Sequence, residues 1–289
     1  MLPQKNKYKD GIISIILCAG KGTRISDFDQ NLPKPLIKID EKPILFHLIF
    51  NLIRSNITSI IIITGHLNEE IEKYILKFKE ENESLRDKIT LINAKPDYKK
   101  GPLYSFLSIT RGDNLLHKDK IYVVLPGDTY FEFELFDVIM KIVQENFTSI
   151  MDNSLIFYQI FEEAALRNTL SASKVISVIK TRKEKSRELL EEIQTKYISE
   201  IKNQQIIQQI IPIFAFNYDT ILKLIEAEKL MKVSTIREVL NYILKRGWII
   251  NAMALQSNYQ FYDIDTKSDL LKLQKRERNN RRSDYSEKN

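Results

Sequence analysis

Four short apolar runs, each followed by an amphipathic stretch, organise the first half of the chain. Ile12 to Leu17 is apolar except for Ser14 and leads, through a glycine turn and a long loop, into a periodic stretch carrying Leu45, Leu48, Ile49, Leu52 and Ile53. The unit recurs: Ser59 to Ile63 precedes Leu67 to Phe78, Ile89 to Ile92 precedes Pro102 to Ile109, and Ile121 to Leu125 precedes Phe133 to Val143. Strands that are continuously apolar are buried on both faces, so this half reads as α/β, a parallel sheet flanked by helices. Ligands of such sheets sit beyond the carboxyl ends of the strands. Those ends are Cys18 to Gly22, Thr64 to Gly65, Asn93 to Lys95 and Pro126 to Asp128.

The second half is more mixed. Strand-like Ser154 to Phe161, Lys174 to Ile179, Ile206 to Phe216 and Trp248 to Leu255 are interrupted by a charged segment, Arg182 to Gln205. Leu189, Leu190, Ile193, Tyr197 and Ile201 give that segment one apolar stripe, which predicts a surface helix. Further helices are expected over Tyr218 to Glu228, Thr235 to Lys245 and Lys267 to Arg276. Neither an internal repeat nor a linker divides the chain, so residues 1–277 are expected to form one domain. Residues 278–289 hold one apolar side chain, Tyr285, and are expected to be a disordered basic tail.

Composition narrows the function classes. The 289 residues carry 44 lysines and arginines against 38 aspartates and glutamates, a net charge of +6. Part of that excess falls in Lys275 to Asn289, which leaves the body too near neutral for a surface that coats nucleic acid. Apolar runs all fall short of the roughly 20 residues of a membrane span. The polar, lysine-rich Met1 to Asp10 lacks the apolar core of a secretory signal, and the single cysteine, Cys18, can form no internal disulfide. A cytoplasmic location is the resulting expectation.

Only 8 glycines occur, and Gly20, Gly22, Gly65, Gly101 and Gly127 all follow an apolar run or open a helical pattern. The first two belong to Leu17-Cys18-Ala19-Gly20-Lys21-Gly22-Thr23-Arg24, which is followed by Leu32-Pro33-Lys34-Pro35-Leu36. A loop of small residues exposes backbone N–H groups to an anion, and two cations can reach the same polyphosphate. No GxGxxG and no Walker lysine accompany it. Taken together, the two segments resemble the signature of the sugar-1-phosphate nucleotidyltransferases and their cytidylyltransferase relatives, including the choline-phosphate branch. The resemblance implies the three-layer α/β/α, Rossmann-like nucleotide-diphospho-sugar transferase fold with a mostly parallel central sheet. It also implies that Leu17, Ala19, Gly20 and Gly22 wrap a nucleoside triphosphate whose phosphates meet Arg24 and Lys34.

Further elements extend the resemblance. Pro126-Gly127-Asp128 matches the family's Gly-Asp, whose aspartate holds Mg²⁺, with Mn²⁺ as an alternative; a lone aspartate after a strand is otherwise a turn former. Phe261-Tyr262-Asp263-Ile264-Asp265 resembles the second carboxylate element, with Asp263 as the implied metal ligand and Asp265 either a ligand or an acceptor contact. Thr266 and Asp269 have the spacing of a helix start. Gly101 falls where the family begins a helix beside the base, or is a plain loop glycine. Lys180 lies where the family brings a Glu-Lys-Pro lysine to the acceptor phosphate, but the proline is missing. His47, His66 and His117 share no metal-ligand spacing, and only His66, beside Gly65, stands at a strand end.

The implied reaction is attack by a phosphomonoester oxygen on the α-phosphorus of an NTP, with pyrophosphate leaving. The acceptor would be a sugar 1-phosphate or a small phosphorylated alcohol such as phosphocholine. Catalysis would be charge neutralisation and alignment by a Mg²⁺-dependent enzyme, with no general base. Two rivals remain open: a metal-dependent glycosyltransferase of related fold, which typically carries Asp-x-Asp where Gly127-Asp128-Thr129-Tyr130 has one aspartate, and a non-catalytic regulatory or scaffold homologue. The expected partners are an NTP and a small phosphomonoester, with no nucleic acid and no membrane, and self-association into a homo-oligomer is compatible with the reading.

Overall fold

The computed structural model describes residues 11–20, 32–111, 115–202, 206–231, 233–257 and 259–286, with side chains to residue 276. The first half follows the expected alternation: β1 (Ile12–Leu17), a small hairpin of β2 (Lys38–Ile39) and β3 (Lys42–Pro43), α1 (Ile44–Arg54), β4 (Ser59–Thr64), α2 (Asn68–Glu81), β5 (Ile89–Asn93), α3 (Pro102–Leu107), β6 (Ile121–Pro126), β7 (Thr129–Phe131), α4 (Phe133–Glu145) and α5 (Phe147–Asp152). The second half adds β8 (Leu155–Glu162), α6 (Glu163–Thr169), β9 (Val175–Glu184), β10 (Arg187–Tyr197), β11 (Ile206–Asn217), α7 (Tyr218–Leu230), α8 (Ile236–Leu244), β12 (Asn251–Leu255), β13 (Phe261–Asp263) and α9 (Lys267–Ser286).

Among the described residues nine strands form one sheet in the order β5-β4-β1-β6-β11-β8-β12-β10-β9. The ladders β1/β4, β1/β6, β4/β5 and β8/β12 are parallel, and β10 and β11 run against the other seven strands. Alternation along β1 explains the layering. Ile12 and Ile16 enter one core with Leu45 and Leu48 of α1, Ile71 of α2 and Phe136 of α4. Ile13 and Ile15 enter the other with Leu103 and Phe106 of α3, Leu224 of α7 and Leu240 of α8. Helices therefore cover both faces of the sheet, in the three-layer arrangement expected from the sequence.

Two elements differ from expectation. The charged segment read as a helix forms most of the β9–β10 hairpin, turning at Lys185, whose φ is 55°. A bulge between Leu190 and Glu192 causes the disguise. It shifts the alternation, so the buried residues are Leu189, Leu190 and Ile193, a spacing that mimics a helical stripe. Asn241 of α8 pins the bulge, accepting from the Ile193 N–H and donating to the Ile193 carbonyl, both at 2.8 Å. The second difference is the tail, expected to be disordered from residue 278: α9 continues to Ser286. Residues 277–286 contain no proline or glycine to stop a helix.

The carboxyl half of the sheet also curls. β9 pairs with β10 along its length and returns to β11 at Gln209 opposite Val178. β11, β8, β12, β10 and β9 thereby close a ring, and β11 overhangs the end of β6, since its ladder with β6 runs only from Phe214 to Asn217. Removing the pin of the bulge tests this closure. Asn241→Ala leaves the Ile193 N–H and carbonyl unpaired and is expected to lower the unfolding free energy by about 1–3 kcal/mol. The change is read as a lower urea midpoint with an unchanged slope.

Candidate functional site

The carboxyl edge of the sheet is assembled by close backbone approach. After β1, the Cys18 N–H donates to the Ile63 carbonyl at 2.8 Å, and the Ala19 carbonyl accepts from the His66 N–H at 3.2 Å. On the other side the Gly127 N–H donates to the Leu17 carbonyl at 2.9 Å. A Cβ on Gly127 would stand 2.5 Å from the Cys18 sulfur and 2.9 Å from the Leu17 oxygen, so only glycine lets the Asp128 loop lie against the first loop. Gly101, at φ 128°, is required in the same way by the Ser234 carbonyl, 2.4 Å from where its Cβ would be. That packing demand accounts for the glycine before α3 without a ligand. At Gly20 a Cβ would meet nothing within 4 Å among the described residues.

Lys34 is the centre of the site. Pro33 and Pro35 flank it, and the Leu36 N–H closes a tight turn on the Pro33 carbonyl at 2.8 Å, which fixes the direction of the lysine stem. Its side chain is only 11% exposed, and Nζ stands 3.4 Å from Asp128 Oδ2 and 3.2 Å from Asp265 Oδ1. Asp263 is brought in by pairing of β13 with β7, which sets it opposite Thr129. The Thr129 hydroxyl donates to Asp263 Oδ1 at 2.6 Å. The predicted Lys34, Asp128, Asp263 and Asp265 thus converge past the end of β1, where Gly127 packs against Leu17 and Cys18 and the chain leads on to Ala19 and Gly20. Arg24 and Gly22 lie outside the described residues.

Lys180 does not join them. It projects from the ring formed by the second half, with its side chain 62% exposed, and pairs with Glu192 at 3.2 Å. The lysine that reaches the carboxylates from that half is Lys174, just before β9. Its Nζ lies 3.0 Å from Asp265 Oδ2 and 3.7 Å from Asp269 Oδ2, and donates to the Asp263 carbonyl at 3.0 Å. Sequence reasoning missed it because it carries no motif; its one signal is a lysine heading an apolar strand. Thr266 and Asp269 do form the expected helix start, with Asp269 Oδ2 accepting from the Thr266 N–H at 2.9 Å and the Asp269 N–H donating to Thr266 Oγ1 at 3.1 Å.

The two acidic groups of the last strand respond oppositely to these surroundings. Burial pushes the Asp263 carboxyl upward, against the Thr129 hydrogen bond and Lys174, and the nearby Asp128 and Asp265 charges add to the rise. Burial acts the same way on Asp265, but Lys174 and Lys34 outweigh it and hold its carboxyl below the ordinary range. Burial and then Asp128 raise the Cys18 thiol, so it stays protonated and is no nucleophile.

The site can therefore present two cations and three carboxylates to a phosphorylated ligand at the strand ends. A sequence model of the nucleotidyl transferase family matches residues 13–165. The chain is 38% identical over 72 residues to a probable glucose-1-phosphate cytidylyltransferase of Bacillus subtilis (strain 168), a stretch covering 25% of this chain and 28% of that protein. It is 31% identical over 122 residues to the D-glycero-alpha-D-manno-heptose 1-phosphate guanylyltransferase of Campylobacter jejuni, covering 42% and 50%. The matched stretches span half or less of these relatives. Among solved structures, UDP-glucose pyrophosphorylase complexed with UDP-glucose superposes with a TM-score of 0.67 at 15% identity, covering 93% of this chain and 99% of that one. CTP:phosphocholine cytidylyltransferase from Streptococcus pneumoniae does so at 0.61 and 18%, covering 91% and 98%. At such identities the likeness concerns the fold, which is the nucleotide-diphospho-sugar transferase fold.

Asp265 ties the two lysines together, and pH exposes its contribution. A carboxylate whose pKa is depressed on folding adds stability that is fully present above its unfolded value, about 3.9, and is lost as pH falls through the folded value. Asp265→Asn is expected to melt below wild type at pH 7, and the gap is expected to narrow as pH drops below about 4. Thermal melts of both proteins from pH 7 to pH 3 read it directly.

Proposed function

The chain belongs to the nucleotidyl transferase family, and on that premise we propose that it transfers a nucleoside monophosphate from an NTP to a phosphomonoester. An oxygen of the acceptor phosphate forms a bond to the α-phosphorus while the bond from that phosphorus to the bridging oxygen of the β-phosphate breaks. Pyrophosphate departs with the electron pair. The attacking phosphate is already ionised, so no base is needed, and what the protein must supply is alignment and positive charge. One observation carries the reading: Lys34, held by its two prolines and almost buried, stands between Asp128 and Asp265 at the strand ends, where Gly127 packs against Leu17 and Cys18.

Each side chain then has a role. Lys34 counters charge that grows around the α-phosphate, and its low exposure strengthens that interaction. The small-residue loop from Leu17 offers backbone N–H groups to the triphosphate. Arg24 is assigned to the departing pyrophosphate by resemblance to the family. Lys174 is better placed than Lys180 to meet an acceptor phosphate, because it already reaches the carboxylates that surround Lys34.

The donor set also suits Mg²⁺. Asp128 and Asp263 supply hard oxygen ligands side by side, and their mutual repulsion, part of what raises Asp263, is relieved by a cation. Two carboxylates are enough for an ion that keeps water and phosphate oxygens among its ligands. When bound there, Mg²⁺ supplies Lewis-acid stabilisation of phosphate charge. A cytoplasmic setting agrees with a substrate pool of free nucleotides, and among the described residues no helix is long and apolar enough to cross a membrane.

Pyrophosphate release from each NTP, with Mg²⁺ and a panel of sugar 1-phosphates and phosphocholine, is the direct test. Release that depends on both substrates is the expected result, and its absence with every pair overturns the proposal. Asp128→Ala is expected to abolish turnover with a wild-type melting temperature, since it opens no cavity. Lys34→Ala is expected to lower kcat by about 10²-fold and to raise the NTP KM less. An equal loss in binding with unchanged kcat assigns Lys34 to ground-state anchoring instead.

A further inference from the structure

The strand that carries Asp263 is short and stands outside the main sheet. β13 pairs with β7, three residues against three, in a two-stranded sheet of their own. A ribbon of that size is marginal by itself. Nor does its apolar pattern fix its register. Phe261 lies opposite Phe131 and Tyr262 opposite Tyr130, with ring centroids 6.0 and 6.4 Å apart, so a shift of one residue still sets an aromatic ring against another. Such a slip turns every side chain of a strand to the other face. For Asp263 it means turning away from the Thr129 hydroxyl that now holds it.

Polar contacts beyond the last aromatic pair hold the register. Glu132 follows β7 and Gln260 precedes β13. The Glu132 N–H donates to the Gln260 carbonyl at 3.1 Å, and the Gln260 N–H donates to Glu132 Oε2, also at 3.1 Å. The other carboxylate oxygen is taken by Arg276 of α9 at 3.0 Å. Arg276 also donates to the side-chain oxygen of Gln260, which accepts from the Tyr262 hydroxyl as well, and its guanidinium lies 5.6 Å from the centre of the Tyr262 ring. One carboxylate therefore ties together the end of β7, the residue before β13 and α9. Burial, the largest influence on Glu132, outweighs Arg276 and the Gln260 N–H and pushes its carboxyl upward. A carboxyl raised on folding gains no stability from its charge at neutral pH, so what the cluster supplies is direction.

Resting on the assignment of Asp263 to Mg²⁺ above, we propose that Glu132, together with Arg276, is a positioning residue that fixes the register of β13 and so sets the Asp263 carboxylate where it can share a cation with Asp128. Glu132 stands opposite Gln260, three residues before Asp263, which is about 10 Å along the ribbon. It acts through the strand and not by contact. The near end of the ribbon cannot replace it. There the Ile264 N–H reaches the Asp128 carbonyl only at 3.4 Å, and the remaining contact, Thr129 on Asp263, involves the metal ligand itself. The last helix is thus tied to the site twice, at its head through Asp269 and Lys174 and farther along through Arg276 and Glu132. Groups that orient a metal ligand from outside its coordination sphere govern metal affinity in this way.

The test compares wild type with Glu132→Ala, which cuts the tie, with Glu132→Gln, which keeps an oxygen for the Gln260 N–H, and with Arg276→Ala, a cut at a more exposed side chain. Three measurements are made on each: amide hydrogen exchange without metal, Mn²⁺ binding by its electron paramagnetic resonance signal with NTP present, and the Mg²⁺ dependence of pyrophosphate release. Glu132→Ala is expected to speed exchange at residues 261–264 while β1 and β6 keep their protection. Its half-saturating Mn²⁺ and Mg²⁺ concentrations are expected to rise about tenfold or more, with NTP affinity in the absence of metal unchanged. Glu132→Gln is expected to return both to within about threefold of wild type, and Arg276→Ala to fall between. Wild-type exchange and half-saturation in folded Glu132→Ala overturn the inference while the transfer reaction stands. A lower melting temperature with unchanged Mn²⁺ binding also overturns it, because Glu132 is then structural only. If Glu132→Ala fails to fold, Arg276→Ala decides on the same readouts. Wild type that binds no Mn²⁺ overturns the assignment of Asp263, and the inference with it.

Discussion

The carboxylate of Asp265 is shared between two ammonium groups, one from each half of the chain, and the geometry of the site follows from that sharing. Lys34 takes one oxygen and Lys174 the other. Two lysines that close together repel unless a carboxylate lies between them, and Asp265, drawn below its ordinary titration range, remains charged to fill that role. Through it the turn after the first loop, the start of β9 and the last strand are bound to one another. The same bridge leaves Asp128 and Asp263 as the carboxylates less committed to lysines.

The legible part of this molecule was the part in which burial is symmetrical. Strands β1, β4 and β6 are apolar on both faces, and nothing but a covered parallel sheet accommodates such runs; Ile13 and Ile16 serve opposite cores three residues apart. Lys34, Asp128, Asp263 and Asp265, which the structure brings together, were visible because each stands at a strand end or beside a proline or glycine. The β9–β10 hairpin was hidden by its own irregularity. A bulge replaces strict alternation with neighbouring buried leucines and a third apolar residue farther on, and a sequence window weighs that pattern as helical.

Lys174 was hidden for a different reason. Motif position assigned the second-half cation to Lys180, inside β9, but a residue within a strand is committed to the face its neighbours dictate, and that face leads to Glu192. A residue just before the strand is free of that constraint, and Lys174 uses the freedom to reach across to the last strand and the head of α9.

The contact between Cys18 and Gly127 has a practical side. The only thiol of the chain is buried to 2% exposure and held protonated, with the backbone of a second loop packed over it. Alkylating reagents need a thiolate they can reach, and here both conditions fail. The native chain is therefore a silent background for thiol chemistry: a cysteine placed at an exposed position such as Ser186, in the turn of the β9–β10 hairpin, takes a fluorophore or spin label alone. A label in that turn can be read without first removing a natural cysteine that the site needs for its packing.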